Sequence, residues 1–231
     1  MHKQIFYKGI ATFTTLIILH FIARVYFQFP YMISTITIVF LSLFSWIYLL
    51  DGKQSLAKCS FDAQLFRELL PLFIILLGVP IYLLGIADSF NYLEVSVSLG
   101  ELLLASVLEE TLYRAILLGT LLTAGIRPVK AIILSSVVFS LLHGIYQPSM
   151  DWSMVYLLID TLIVGLTLNV IYFKSSNLPL VIFIHFIWNA SILINRVFPS
   201  EEVTLTTTLL LMFVKLMYLV WSVREVRKIN M

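Results

Sequence analysis

Long apolar runs, separated by short polar breaks, dominate the pattern of the chain. Eight runs approach the roughly 20 apolar residues that an α-helix needs to cross the hydrocarbon core of a bilayer. Proline, glycine, asparagine and serine occupy the breaks, which is typical of tight turns between helices. The pattern predicts an all-α polytopic membrane protein with its transmembrane helices in one bundle. The predicted spans are 9–29, 31–50, 66–87, 99–124, 130–146, 152–173, 178–195 and 205–222.

The composition of the 231 residues supports this interpretation and excludes several alternatives. Hydrophobic residues make up 60% and charged residues 12%, against roughly 45–50% and 25% in a soluble domain. No linker, low-complexity tract or repeat divides the chain, so we expect a single membrane domain over 1–231, with its motif-bearing core at about 99–195. A net charge of +2 does not suggest a nucleic-acid partner. Because Cys59 is the only cysteine, an intramolecular disulfide, a thiolate metal cage and a CxxC redox pair are excluded.

Lysine and arginine are distributed unevenly between the predicted loops. When alternate loops are assigned to opposite sides, eleven basic residues fall on one side, and Arg196 alone falls on the other. The positive-inside rule places the basic side in the cytoplasm. We therefore expect both termini in the cytoplasm, which an even number of spans requires, and an uncleaved first span. The eleven residues are Lys3, Lys8, Lys53, Lys58, Arg67, Arg127, Lys130, Lys174, Arg224, Arg227 and Lys228.

The fourth predicted span contains two adjacent glutamates within an apolar helix. Ionisable groups at membrane depth cost about 2.5 kcal/mol or more each, so each needs a partner or a function. Glu110 and Arg114 have i, i+4 spacing with the acidic residue first, which favours an ion pair. Glu109 points about 100° away from Glu110 around the helix. The spacing therefore predicts a structural pair at Glu110 and Arg114, and a free carboxylate at Glu109 that faces a polar cavity.

Two further spans carry polar residues at i, i+4 spacing. Phe139 and His143 share a face of the fifth span, and His185 and Asn189 share a face of the seventh. With a rise of 1.5 Å per residue, Glu109 lies about 22 Å, His143 about 20 Å, and the pair on the seventh span roughly 10–17 Å from the cytoplasmic helix ends. These depths overlap, so a compact bundle can bring the four polar groups into one pocket.

These residue types are sufficient for hydrolysis of an amide bond without a metal. An apolar setting disfavours the charged carboxylate, which suits Glu109 to general-base catalysis on water, and an imidazole such as His143 can deliver the proton to the leaving amine. His185 and Asn189 can supply N–H groups to an oxyanion. Two histidines with glutamates also form a known zinc ligand set, although the HExxH arrangement is absent. We favour the hypothesis without a metal or other cofactor.

The three motifs, in this order on three membrane helices, resemble those of the CPBP (Abi) family over roughly residues 100–195. This family includes type II CaaX prenyl endopeptidases and bacterial bacteriocin-processing or self-immunity proteins. The resemblance implies a glutamate-dependent intramembrane endopeptidase. It implies that Glu109 and His143 activate water and that His185 and Asn189 stabilise the oxyanion, while Glu110 and Arg114 brace the site with Phe139 beside it.

We therefore expect an enzyme of a bacterial plasma membrane that cleaves a membrane-associated peptide or protein, such as the precursor of a secreted peptide. The main alternative is a non-catalytic immunity or scaffold protein that binds a bacteriocin or another membrane partner. A weaker alternative is a proton-coupled transporter with both glutamates as the relay. Asp160 is expected to face the bundle interior and to bond Lys215 or a neighbouring backbone group.

Overall fold

The computed structural model describes residues 2–25, 31–49, 67–68, 70, 92–145, 151–197 and 201–230. Within these ranges the chain forms seven continuous helices and no strand. The all-α class predicted from the apolar runs is therefore confirmed. One of the seven is divided into three segments, namely α3 (Tyr92–Glu110), the π segment (Thr111–Leu118) and α4 (Gly119–Thr123). The other six are α1 (His2–Val25), α2 (Tyr31–Phe44, continued by a π-helix over Ser45–Leu49), α5 (Pro128–Gly144), α6 (Trp152–Ser175), α7 (Leu178–Val197) and α8 (Glu201–Asn230).

Seven of the eight predicted spans overlap these helices. The span predicted at 66–87 lies outside the described residues, apart from positions 67, 68 and 70. Local signals set two of the helix ends. Asp151 caps α6 by accepting hydrogen bonds from the amides of Ser153 (2.9 Å) and Met154 (3.3 Å), and Pro128 begins α5. The number of spans, the single domain and the cytoplasmic termini stay predictions.

The described helices are apolar on the outside as well as inside. By length and hydropathy, two helical segments of the described chain are sufficient to cross a membrane, Gln4–Ile22 and Trp152–Ser175. Shorter apolar helices occupy Thr35–Ile47, Pro128–Gly144 and Leu178–Ser191. Large exposed hydrophobic side chains need an apolar solvent. On α8 they are Leu209, Met212, Phe213, Leu216, Met217, Val220 and Val223.

Helices α5 and α6 pack closely because small residues line their interface. A Cβ atom built on Gly165 would lie 3.1 Å from Phe139 Cδ1 and 3.3 Å from Ser136 Cα, so the two backbones are near the closest approach that packing permits. Beside this contact, the Asn169 amide donates to Ser136 Oγ (2.8 Å) and to the Ile132 carbonyl (3.2 Å). The interface holds Phe139, and with it the candidate site, against α6.

Helices α6 and α8 are joined by polar contacts at regular spacing. Lys215 forms an ion pair with Asp160, as the sequence suggested, and Ser222 Oγ donates to Thr167 Oγ1 at 3.1 Å. Both pairs are 55 residues apart, so the two helices run parallel. The contacts recur at an interval of seven residues, which is the spacing of left-handed helix packing. Polar side chains inside the apolar bundle thus find partners across this interface.

The helix that starts as α3 widens into the π segment directly after the two glutamates. All eight residues of the π segment are buried, and the amide of Gly119 donates to the carbonyl of Arg114, five residues earlier. Tyr113 in the same segment accepts a hydrogen bond on its carbonyl from Ser135 Oγ of α5, at 3.1 Å. π-Helical turns often occur at functional sites. Here the turn follows Glu109 and Glu110 and anchors α5 beside them.

Candidate active site

Glu109 faces the two histidines that the sequence grouped with it. Its Oε2 atom lies 3.6 Å from His143 Nε2 and 3.7 Å from His185 Nε2. The side chains of Glu109 and His143 are 25% and 28% exposed, whereas that of His185 is 4% exposed. The structure therefore brings a carboxylate and two imidazoles from α3, α5 and α7 to one point. Glu109 and His143 are partly exposed, but the Glu109 Oε2 atom that faces the histidines is itself buried.

The backbone of α5 orients His143. Its Nδ1 atom lies 2.8 Å from the carbonyl oxygen of Phe139, one helical turn earlier. Because a carbonyl oxygen can only accept, Nδ1–H must be the donor, and a neutral imidazole then has no proton on Nε2. The Nε2 atom of His143 is therefore an acceptor that points at Glu109.

Glu110 lies in a fully buried ion pair and also contacts a histidine. Its Oε1 atom is 3.0 Å from Arg114 Nη1, and both side chains are 0% exposed. The same Oε1 atom lies 2.6 Å from Nδ1 of His185 on α7. The pairing of Glu110 with Arg114 follows from their spacing, but the contact with His185 does not. Residues 75 positions apart meet only because α3 and α7 are neighbours.

The contact with Glu110 determines how His185 faces Glu109. A carboxylate that is paired with an arginine is ionised and accepts, so His185 Nδ1–H is the donor. Neutral His185, like neutral His143, then has an acceptor at Nε2. To donate a hydrogen bond from Nε2, as an oxyanion site would require, His185 must carry the second proton.

Phe139 connects the buried ion pair with the histidines. Its ring centroid lies 4.5 Å from Arg114 Cζ, 4.4 Å from the ring centroid of His143 and 6.1 Å from that of His185. The ring is 1% exposed and has Tyr113 at 4.9 Å on another side. A guanidinium over an aromatic face gains cation–π attraction. Phe139 thus fills the space among the polar groups and restricts their side-chain conformations.

Asn189 lies one turn from His185 and reaches α3 through a residue that sequence reasoning missed. Its Nδ2 atom donates to Ser106 Oγ at 3.3 Å, and Ser106 in turn donates to the Leu102 carbonyl at 2.8 Å. Ser106 precedes Glu110 by one helical turn, which is the spacing that could have identified it. This contact leaves the second amide hydrogen of Asn189 for another acceptor.

The described residues also bear on the charge balance of the site. Within the described ranges, Glu110 Oε2 and Arg114 Nε and Nη2 have no hydrogen-bond partner, although they are buried. Among the same residues, no group of three histidine, cysteine or acidic side chains has the arrangement of a metal site. Glu110 and Arg114 neutralise one another, so the charge that remains to be balanced is that of Glu109.

The described part of the chain is thus a bundle of apolar helices in which the carboxylate of Glu109 faces the imidazoles of His143 and His185. Residues 91–191 match the model of the family described as type II CAAX prenyl endopeptidase Rce1-like. The match confirms the resemblance to the CaaX proteases and contains all the residues of the candidate site. That family consists of membrane-embedded peptidases, and the match supports peptidase activity for this chain. No curated protein and no solved structure matches the chain.

Proposed function

We propose that the protein is a metal-independent intramembrane endopeptidase that hydrolyses peptide bonds of membrane-associated peptides or proteins. One observation carries the proposal: Glu109 Oε2 faces Nε2 of His143 at 3.6 Å and Nε2 of His185 at 3.7 Å in an apolar bundle. A water molecule that reaches this carboxylate can donate a hydrogen bond to it, as general-base catalysis requires. The family match supports the same reaction class.

The proposed reaction uses Glu109 as the general base. Its carboxylate takes one proton from water while the water oxygen forms a C–O bond with the peptide carbonyl carbon. The proton then passes through Nε2 of His143 to the peptide nitrogen. As the C–N bond breaks, the tetrahedral intermediate releases an amine and a carboxylic acid. His143 suits this transfer because its Nδ1–H is committed to the Phe139 carbonyl, so that Nε2 alone carries the proton.

His185 and Asn189 are proposed to stabilise the oxyanion of that intermediate. Asn189 has an amide hydrogen beyond the one that contacts Ser106. His185 can donate from Nε2 when this atom carries a proton, while its Nδ1–H is held by Glu110 at 2.6 Å. Donors aimed at a developing oxyanion typically raise the rate 10²–10³-fold. Glu110 and Arg114 do not contact the substrate in this proposal; they position His185.

The setting of the enzyme is proposed from the sequence pattern. Eight spans with both termini in the cytoplasm satisfy the distribution of lysine and arginine. Short loops and a single membrane domain suit a bacterial plasma membrane protein. The substrate class that suits such a membrane is a precursor of a secreted peptide, such as a bacteriocin or a signalling peptide, and no cofactor is required.

The test compares the wild type with Glu109→Gln, both purified in the same detergent, for cleavage of a library of membrane-anchored peptides. We expect Glu109→Gln to lose at least about 100-fold in rate, since general acid–base catalysis contributes 10²–10⁴-fold. Glu101→Gln is the matched control, because Glu101 is a half-buried carboxylate on the same helix, and it should retain activity.

Each sample is also assayed with a metal chelator. Cleavage that is lost in Glu109→Gln and unaffected by chelator supports the proposal. Chelator-sensitive cleavage would instead assign a metal mechanism. If the wild type cuts no peptide and Glu109→Gln still replaces the wild type functionally in the cell, the protein is a binding or scaffold protein.

A further inference from the structure

Two buried residues of α3 contact the two residues of α7 that are proposed to stabilise the oxyanion. Glu110 Oε1 lies 2.6 Å from His185 Nδ1, and Ser106 Oγ lies 3.3 Å from Asn189 Nδ2. A step of four residues forward on α3 corresponds to a step of four residues back on α7, so the helices are antiparallel and the contacts lie one turn apart. Ser106 therefore has the same place beside Asn189 that Glu110 has beside His185.

The hydroxyl proton of Ser106 is committed to the backbone. Its Oγ atom donates to the Leu102 carbonyl at 2.8 Å, and the residue is 0% exposed. A serine inside an apolar helix commonly satisfies its hydroxyl in this way. Because the one proton is used, Oγ can only accept a second hydrogen bond. A neighbouring carboxamide must therefore present an N–H group to Ser106 and not its oxygen.

This requirement selects one of two orientations for the Asn189 side chain. A carboxamide has nearly the same shape either way round, but only its nitrogen can donate. The reversed orientation would set Asn189 Oδ1 against Ser106 Oγ, and a buried acceptor that faces another acceptor loses its hydrogen bond. The contact with Ser106 thus holds the nitrogen of Asn189 toward α3, the helix that carries Glu109.

A similar pair of asparagine and serine between α5 and α6 differs in one respect. Ser136 Oγ donates to the Ile132 carbonyl at 2.8 Å, and the Asn169 nitrogen donates both to Ser136 Oγ and to that carbonyl. Asn169 is 0% exposed, and its nitrogen is fully used in packing. Asn189 is half-buried, and its hydrogen bonds to the described residues use one N–H. The nitrogen that Ser106 orients therefore has a second N–H to offer.

We propose that Ser106 is a positioning residue of the active site, which fixes the Asn189 carboxamide so that its second N–H is presented to the oxyanion. Ser106 is not a nucleophile in this inference, because it is buried and its proton is held by the Leu102 carbonyl. The inference rests on the proposed function, since it assigns Ser106 a role only through Asn189.

The experiment is a double-mutant cycle of the wild type, Ser106→Ala, Asn189→Ala and the double variant. kcat and KM are measured in one detergent on a peptide that the wild type cuts. Loss of the Asn189 donor should lower kcat about 100-fold, and Ser106→Ala, which leaves the donor present but free to reverse, about 10-fold with KM unchanged. The double variant should be no slower than Asn189→Ala, because Ser106 acts only through that residue. Ser106→Cys, whose sulfur is a weak acceptor, replaces Ser106→Ala if that variant does not fold.

Ser191→Ala is the matched control. Ser191 is a buried serine of α7 whose Oγ donates to the Ile187 carbonyl at 2.7 Å, four residues earlier, as Ser106 does on α3. Its replacement removes the same kind of hydroxyl without removing the contact to Asn189, and kcat should stay at the wild-type value. A loss as large as that in Ser106→Ala would mean that any missing buried hydroxyl slows the enzyme, and would overturn the inference.

Other outcomes would also overturn it. If the losses multiply in the double variant, to about 1,000-fold, Ser106 acts by a route that does not involve Asn189. Wild-type kcat in Ser106→Ala, or a change in KM alone, would contradict a role in orienting the donor. The proposed function fails in a different way, when the wild type cuts no peptide or when Glu109→Gln cuts as fast as the wild type. An inactive Glu109→Gln together with losses that multiply would refute the role of Ser106 alone.

Discussion

Gly165 offers a sharp test of how the bundle holds the active site. A methyl group added there would lie 3.1 Å from Phe139 Cδ1 and 3.3 Å from Ser136 Cα. These distances are shorter than ordinary van der Waals contact, and one of the two neighbours is backbone, so α5 or the Phe139 ring must shift by a few tenths of an ångström. Overpacking of this kind costs about 1–3 kcal/mol. Because Phe139 contacts both histidines and Arg114, the displacement reaches the catalytic atoms.

We therefore expect Gly165→Ala to lower both the thermal stability and the rate of peptide cleavage. A 1 Å misplacement of reacting groups costs about 100-fold in rate, so a smaller shift should cost on the order of 10-fold. The measurements are the melting temperature in detergent and kcat on a peptide that the wild type cuts. Gly100→Ala is the matched control, since a Cβ atom there meets nothing within 4 Å.

The two substitutions are chemically identical, and the structure predicts opposite signs for their effects on stability. In a helix interior, alanine is favoured over glycine by about 0.5–1 kcal/mol, so Gly100→Ala should raise the melting temperature slightly and leave kcat unchanged. If Gly165→Ala proves as stable and as active as Gly100→Ala, the close approach of α5 and α6 does not position the site.

Two further predictions concern charged groups. Glu110→Gln leaves the buried guanidinium of Arg114 without its countercharge, which should cost about 3–5 kcal/mol in the free energy of unfolding. Glu110→Gln with Arg114→Met should recover much of that stability but not the activity, because His185 then faces a neutral amide in place of the carboxylate. Recovery of activity in the double variant would refute the positioning role. The second prediction concerns Glu225, which lies beyond the predicted span 205–222. Burial favours a higher pKa for its carboxyl. Hydrogen bonds and charge from Lys228 and Lys174 outweigh this effect and hold the pKa below its ordinary value of 4.5. A lowered pKa stabilises the folded state above the unfolded pKa, so that part of the stability should be lost as the pH falls below about 4.5. Melting temperatures between pH 7 and pH 3 should fall less steeply in Glu225→Gln, and identical curves would contradict the prediction.

Much of the candidate site could be predicted because its parts are local. The pairing of Glu110 with Arg114 depends only on i, i+4 spacing along a helix, and so does the contact of His143 with the turn that contains Phe139. The convergence on Glu109 was inferred from overlapping depths, and it is found at 3.6 and 3.7 Å. The role of each residue in catalysis stays a prediction.

The contacts that were missed are those between helices. Nothing in the pattern around His185 shows that its Nδ1 atom would face Glu110 rather than Glu109, and Ser106 was not recognised as the partner of Asn189. The π segment after Glu110 was also unexpected. Each depends on the rotation and register of one helix against another.

By itself, the sequence determined the helical class, the places where most helices begin and end, and the residue types available for chemistry. The periodicity of a helix and the apolarity of its solvent act on each segment separately, so these features can be read from the chain. Only the tertiary structure decided which nitrogen of each histidine faces Glu109 and that the carboxylate of Glu110 also contacts His185. Those outcomes depend on side-chain complementarity between distant segments, such as Gly165 against Phe139, where a single methyl group would change the fit.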